Sequence, residues 1–138
     1  MAKRGARPGA AEHAPPCPCG SGLPYAGCCG RLHRGEATAG TAEALMRSRF
    51  SAFAVGDADY LLRSWHSSTR PARLRLDAGQ RWTRLEVVDT ERGGLFDAEG
   101  SVEFRAHYKE GGRPGTLTEH SRFVREDGRW VYLEARPD

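Results

Sequence analysis

The segment TAEALMRSRFSAFAVG, residues 41–56, decides the fold of this chain of 138 residues. Its apolar side chains recur at the spacing of one helical face, which predicts an amphipathic α-helix that packs against the rest of the chain. Thr41 is a suitable N-cap for this helix, and Gly56 can adopt the left-handed conformation that ends it. The residues expected to face away from the buried stripe are Arg47, Arg49 and Ser51.

Two shorter helices are predicted after this one. Asp57 can cap a second helix that contains Tyr60 and ends at Trp65. Residues 72–77 are expected to form one more short helix, which ends at Gly79. The helical part of the chain should therefore end before the strands begin.

The C-terminal part of the chain alternates apolar and polar residues, which is typical of β-strands. The predicted strands cover residues 81–92, 100–110, 115–126 and 129–135. The turns expected between them lie at Gly93-Gly94, Gly111-Gly112 and Asp127-Gly128. Helices followed by an antiparallel meander predict an α+β fold, in which helices cover one face of a curved four-stranded sheet and leave a conical cavity.

Composition and charge limit what the chain can be. Hydrophobic residues make up 38% and charged residues 28%, and no apolar run approaches the roughly 18 residues that a membrane span needs. The basic N-terminus is not followed by the apolar core of a secretory signal, so we expect a cytoplasmic protein. The net charge of +3 lies within residues 1–40, because residues 41–138 carry equal numbers of acidic and basic side chains.

The cysteines form one local cluster with the spacing C-x-C-x8-C-C. Four thiolates at this spacing favour one structural zinc ion per chain, whose binding would supply the folding free energy of so short a segment. Pro24 is expected at the first position of a short helix that presents the last two cysteines. Two disulfides or four free thiols are the alternatives, and a reducing cytoplasm argues against the disulfides. The expected zinc ligands are Cys17, Cys19, Cys28 and Cys29.

These residues carry a resemblance to a known motif. The run from Cys17 to Gly22, with Tyr25 and the run from Cys28 to Gly30, resembles the SEC-C zinc motif. The segments EALMRSRFSAF, DADYL and WHSSTRP, with SRF and DGRWVY near the end, are similar to the YchJ-like family of uncharacterised bacterial proteins. The resemblance implies an NTF2-like domain after the motif. Many family members carry a second cysteine motif after that domain, and this chain ends without one.

The domain organisation expected from these patterns has four parts. They are a disordered tail (1–16), the SEC-C-like zinc-binding knuckle (17–30), a connector (31–40) and the NTF2-like domain (41–138). Four thiolates and one Zn²⁺ would lower the net charge of residues 1–40 from +3 to +1. The smaller charge argues against a nucleic-acid partner and favours a protein partner that binds the knuckle.

Polar residues of the NTF2-like domain are the candidates for a second site. Those that could line a ligand pocket are Arg47, Arg49, Tyr60, Trp65 and Arg122. Those that could move protons are Asp57, Asp59, His66 and Glu119. The first hypothesis is a non-enzymatic protein in which the knuckle docks on a partner and the domain is a scaffold or binds a small ligand. The second, which rests on fold analogy, is an enzyme of the hydrolase, isomerase or dehydratase type. A monomer and a homodimer are both compatible with the sequence.

Overall fold

The computed structural model describes residues 14–137, which form three α-helices and one antiparallel sheet. The helices are α1 (Cys29–His33), α2 (Ala42–Val55) and α3 (Ala58–Arg63), and the strands are β1 (Gln80–Arg92), β2 (Glu99–Glu110), β3 (Arg113–Glu126) and β4 (Arg129–Ala135). Within this part of the chain, no helix has both the length and the apolar character needed to span a bilayer. The disordered tail expected over residues 1–16 falls, for residues 1–13, outside the described residues.

Side-chain caps fix the start of the two helices that follow one another in the body of the fold. The Thr41 hydroxyl accepts a hydrogen bond from the amide of Ala44 at 3.0 Å, and the Asp57 carboxylate accepts one from the amide of Tyr60 at 3.0 Å. Gly56 ends α2 with a φ of 80°, a conformation that glycine adopts without strain. The predicted caps of both helices are confirmed.

The sheet is a simple meander with the order β1-β2-β3-β4. Each strand begins within two residues of its predicted start and ends at the predicted residue. Asp127 and Gly128 have φ values of 54° and 80°, as a two-residue type I′ turn requires. Val102 lies opposite Ser121, so the apolar residues of β2 share one face with the odd-numbered residues of β3.

The core lies between α2 and that face of the sheet. Phe50 of α2 packs among buried strand residues such as Val102 and Phe123, which are at most 1% exposed. A smaller cluster around Leu61 packs α3 against the segment that leads into β1. The architecture is the predicted one, with helices on one face of a four-stranded antiparallel sheet.

Two predicted helical segments are wrong. Residues 72–77 form no helix; they run without regular structure, and Leu74 and Leu76 pack against the cluster around Leu61. Their spacing of two residues suits an extended chain better than a single helical turn. The second helix ends at Arg63, and Trp65 instead forms a parallel bridge to Tyr132.

The expectation that Arg49 and Ser51 face away from the buried stripe is also wrong. Arg49 is 6% exposed and Ser51 is fully buried. Ser51 lies beneath the cysteine segment, 3.5 Å from the Cys17 thiol, and Arg49 is covered by the rings of Trp65 and Tyr132. A sequence pattern for one buried face does not reveal a second covering element.

Candidate metal centre and aromatic cavity

The four cysteines converge as the sequence predicts. Their Sγ atoms all lie within 4.8 Å of one another, and those of Cys19 and Cys28 are 3.7 Å apart. A tetrahedral zinc site with Zn–S bonds of about 2.3 Å places its sulfurs about 3.8 Å apart. All four are free thiols, and three of them are buried. The donor set and its dimensions are compatible with one metal ion, which four protein ligands would enclose completely.

The loop that presents the thiols is built from two tight turns. Gly20 and Gly22 both have positive φ values, 86° and 85°, which lets the backbone turn beneath the sulfurs. Pro24 does not begin an α-helix as expected; it precedes a 3₁₀ turn over Tyr25–Gly27, and α1 begins at Cys29. Cys28 lies between the 3₁₀ turn and α1, so the thiols of Cys28 and Cys29 are not on consecutive positions of one helix and can both face the other two cysteines.

The knuckle is longer in the structure than the predicted residues 17–30 and covers residues 15–33, because residues on both sides of the cysteine motif are bonded to it. The Tyr25 amide donates to the carbonyl of Pro15 at 3.0 Å, and a backbone bridge joins Pro16 to Pro24. The Cys17 amide closes the loop by donating to the carbonyl of Leu23 at 2.8 Å. The ordered unit is therefore larger than the cysteine motif itself.

The thiols have opposite protonation tendencies. Hydrogen bonds, the strongest from Cys29, lower the pKa of the Cys19 thiol to about 4. The same bond and burial raise the pKa of Cys29, and burial raises that of Cys28. Of these three thiols, only that of Cys19 is favoured as a thiolate without a cation, because neighbouring thiolates at these distances would repel one another. A divalent ion would remove that conflict.

The knuckle is attached to α2 through polar contacts. Arg47 donates from Nη1 to the carbonyl of Cys19 at 2.7 Å and pairs through Nε with Glu43 at 2.9 Å. The Cys17 thiol lies 3.5 Å from the hydroxyl of Ser51. One expected metal ligand thus contacts the central helix of the body directly.

A buried histidine makes the second attachment. His33 is 9% exposed, and its Nε2 lies 2.9 Å from the carbonyl of Ser48, so this nitrogen is the one that donates. Its Nδ1 accepts from the hydroxyl of Tyr25 at 2.6 Å. Arg63 of α3 donates to the carbonyl of His33. The imidazole therefore links knuckle and body with both ring nitrogens.

A separate cavity of about 270 Å³ lies on the opposite side of α2, between this helix and the sheet. Seven of its twelve lining residues are aromatic. The lining consists of Met46, Arg49, Phe50, Phe53, Trp65, Trp82, Phe104, Leu117, Glu119, Ser121, Phe123 and Tyr132. Arg49, Trp65 and Glu119 are among the site residues predicted from the sequence. The other six aromatic residues of the lining are not, because each also fits an ordinary core position.

Arg49 is the buried cation of this cavity. Its Nη1 donates to the carbonyl of Leu61 at 2.8 Å and to the hydroxyl of Ser64 at 2.7 Å. Its guanidinium lies over the rings of Trp65 and Tyr132, 5.1 and 4.7 Å from their centroids. Burial lowers the pKa of Arg49 to about 10, so the side chain stays protonated near neutral pH. Among the described residues, no carboxylate lies within 4.0 Å of it.

Glu119 supplies the cavity's only negative charge. Its Oε2 accepts hydrogen bonds from the hydroxyl groups of Ser121, at 2.6 Å, and Tyr132, at 3.1 Å. Burial and the neighbouring carboxylate raise the pKa of Tyr132, so its hydroxyl remains a donor. The Nε1 of Trp65 is buried and has no hydrogen-bond partner among the described residues. The cavity therefore combines aromatic walls with one fixed cation and one carboxylate.

The other residues proposed for a ligand pocket lie elsewhere. Arg47 contacts the knuckle, as described above. The hydroxyl of Tyr60 lies 2.7 Å from that of Ser48, and Arg122 pairs with Glu134 at 2.6 Å on the opposite face of the sheet. None of these three proposed residues lines the aromatic cavity.

The remaining candidates for proton transfer are separated from Glu119. Asp57 caps α3, and Asp59 is exposed. His66 accepts at Nδ1 from the amide of Ser68 at 3.0 Å, and its Nε2 lies 3.7 Å from Glu126. The four proposed acid–base residues do not share one site.

Fold and site define a class of protein in which a four-cysteine SEC-C knuckle precedes an NTF2-like domain. The family model described as the YchJ middle NTF2-like domain matches residues 41–135. The chain belongs to the YchJ-like family of UPF0225 proteins, as the resemblance in the sequence predicted.

Relatives and solved structures agree on this assignment. A UPF0225 protein of Streptomyces coelicolor is 60% identical over 87% of this chain and 94% of its own length. The solution structure of a SEC-C motif containing protein from Rhodopseudomonas palustris is 32% identical, covers 90% of this chain and 99% of its own, and superposes with a TM-score of 0.76. A crystal structure of a SEC-C motif containing protein from Psychrobacter arcticus is 27% identical, with a TM-score of 0.72 over 89% of this chain and 84% of its own.

Proposed function

We propose that this chain is a zinc-binding protein whose metal-bound knuckle holds in place one wall of a small-molecule site. The observation on which the proposal rests is the double role of α2. One side of the helix contacts the knuckle through Arg47, Ser48 and Ser51, and another side lines the aromatic cavity through Arg49 and Phe50.

Zinc is the metal that the donor chemistry favours. Four thiolates are soft ligands, which suit zinc and not magnesium or calcium. A closed set of Cys17, Cys19, Cys28 and Cys29 leaves no coordination position for a substrate. The metal would therefore be structural, and its binding would stabilise the contacts between the knuckle and α2.

The cavity supports ligand binding more strongly than catalysis. A buried guanidinium that lacks a carboxylate partner costs folding free energy, and such groups are retained where they serve a site. Trp65 adds a buried donor without a partner, which is rare in folded proteins. Of the residues considered for acid–base chemistry, Glu119 alone lines the cavity, so no pair with complementary proton-transfer roles is present there.

A fragment screen followed by NMR tests the cavity directly. We expect small aromatic molecules to shift the indole ¹⁵N–¹H signals of Trp65 and Trp82, which line the cavity. The indole of Trp130 donates to the carbonyl of Gly40 outside the cavity and is an internal control. A screen at millimolar concentration that leaves all three signals unchanged would contradict this part of the proposal.

A second candidate function is docking of a protein partner on the knuckle. Leu23 supports it, since this large apolar side chain is 53% exposed on a loop fixed by backbone hydrogen bonds. Exposed apolar residues on rigid loops are typical anchors of protein interfaces.

Exchange of Leu23 for aspartate should weaken the binding of such a partner without loss of the metal. We expect quantitative affinity capture with the L23D variant to recover at least about tenfold less of the partner than the wild-type chain recovers. The matched control is Leu95→Asp, which replaces another exposed leucine, 66% exposed, in the β1–β2 loop. Equal recovery with wild type and L23D would rule out docking through this loop.

A further inference from the structure

The charges in the aromatic cavity limit what it can bind. Arg49 and Glu119 are the only charged residues of the lining, so the lining as a whole is electrically neutral. A carboxylate ligand attracted by Arg49 would meet Glu119, and an ammonium ligand attracted by Glu119 would meet Arg49. Placing like charges next to each other in a desolvated site costs several kcal/mol.

Arg49 and Glu119 each have polar atoms that are not yet hydrogen-bonded. Among the described residues, only Nη1 of Arg49 is hydrogen-bonded, so Nε and Nη2 are free to donate. Both bonds to Glu119 reach Oε2, which leaves Oε1 free to accept. A ligand with one acceptor and one donor group would satisfy both residues without bringing a charge of its own.

The volume and the lining of the cavity indicate the size and the shape of the ligand. A volume of about 270 Å³ is below the roughly 300–1,000 Å³ of sites for drug-sized molecules, so one ring or two fused rings would fill it. Aromatic side chains from α2, from Trp65 and from all four strands surround this space. Such walls favour a planar ring that can stack on one side chain and meet another edge to face.

We propose that the cavity binds an uncharged, planar aromatic molecule with a hydrogen-bond acceptor for Arg49 and a donor for Glu119, such as an aromatic carboxamide. The inference rests on the proposed function, in that it assumes the cavity is a ligand site. It adds a selection by charge: neutral ligands bind, and their anionic and cationic counterparts are excluded.

The test compares ligands that differ only in their head group. Indole-3-acetamide, indole-3-acetate and tryptamine form one series, and the corresponding benzene derivatives form a second. Binding is measured by titration of the Trp65 and Trp82 indole signals. We expect the amide of each series to bind at least about tenfold more tightly than its anionic and cationic counterparts.

A charge-neutralising variant separates electrostatic selection from shape. The E119Q variant keeps an oxygen that can accept from Ser121 and Tyr132, but it leaves Arg49 as the only charge of the lining. We expect the anionic indole-3-acetate to gain at least about tenfold in affinity for E119Q. The matched E134Q variant, on the opposite face of the sheet, should bind all three molecules as the wild type does.

The outcomes of this experiment test the charge selection and the ligand site separately. Preference for the amides, with a gain for the anion in E119Q, supports the inference. Anionic or cationic members that bind as tightly as the amides would overturn the charge selection and leave the ligand site intact. Failure of every member to move the Trp65 and Trp82 signals would overturn the ligand site itself.

Discussion

Exchange of Cys29 for serine is expected to release the metal and to lower the free energy of unfolding by about 5 kcal/mol or more. The knuckle has little apolar surface of its own, since its buried apolar cluster consists of Cys17, Cys19 and Cys29. Without the fourth thiolate, the loop would lose the ion that offsets repulsion among the remaining sulfurs. The contacts from the knuckle to α2 would then be lost with it.

Urea unfolding followed by circular dichroism, with metal analysis of the same sample, measures this effect. The matched control is Ser21→Ala, because the Ser21 hydroxyl lies 3.1 Å from the Cys28 thiol but is not an expected ligand. We expect the S21A variant to keep its metal and to lose about 1 kcal/mol. A C29S variant with wild-type stability would contradict a structural role for the metal.

Exchange of Arg49 for methionine is expected to weaken the binding of neutral aromatic ligands while the fold survives. Burial lowers the pKa of Arg49, so the folded state disfavours its charge, and removal of that charge offsets the hydrogen bonds that are lost. The hydroxyl of Ser64, which donates to the carbonyl of Tyr60 at 2.7 Å, can turn to the carbonyl of Leu61 at 3.3 Å, because the Tyr60 carbonyl keeps the amide of Ser64 at 3.0 Å. We therefore expect a change in the free energy of unfolding of no more than about 1 kcal/mol.

Ligand affinity should fall at least about tenfold in this variant, because a charge-assisted hydrogen bond to the ligand is removed. The matched control is Arg122→Met on the opposite face of the sheet, which removes an ion pair with Glu134 and contacts neither the cavity nor the knuckle. It should leave ligand affinity unchanged. Loss of more than about 3 kcal/mol in R49M would instead assign Arg49 a structural role.

Local signals in the sequence were sufficient to predict the two capped helices and the strands of the sheet. Thr41 and Asp57 cap helices through their own side chains, and the Asp127-Gly128 turn needs residues that accept a positive φ. These features act over a few residues, so they can be predicted without knowledge of the rest of the structure. The cluster of four cysteines is equally local, because its members lie within one short segment.

Long-range packing explains what could not be predicted. The burial of Arg49 depends on Trp65 and Tyr132, which come from a loop and from the last strand. His33 falls in a segment expected to be a connector, and it becomes buried because it meets α2 and Tyr25 together. No spacing in the sequence indicates which distant residues will meet.

The central claim is that the four cysteines hold one zinc ion, which fixes the knuckle on α2. Native mass spectrometry of the purified chain, combined with elemental analysis, tests it most directly. We predict one zinc per folded chain, lost on exchange of Cys17, Cys19, Cys28 or Cys29. A metal-free chain in which the knuckle is fully folded would contradict the claim.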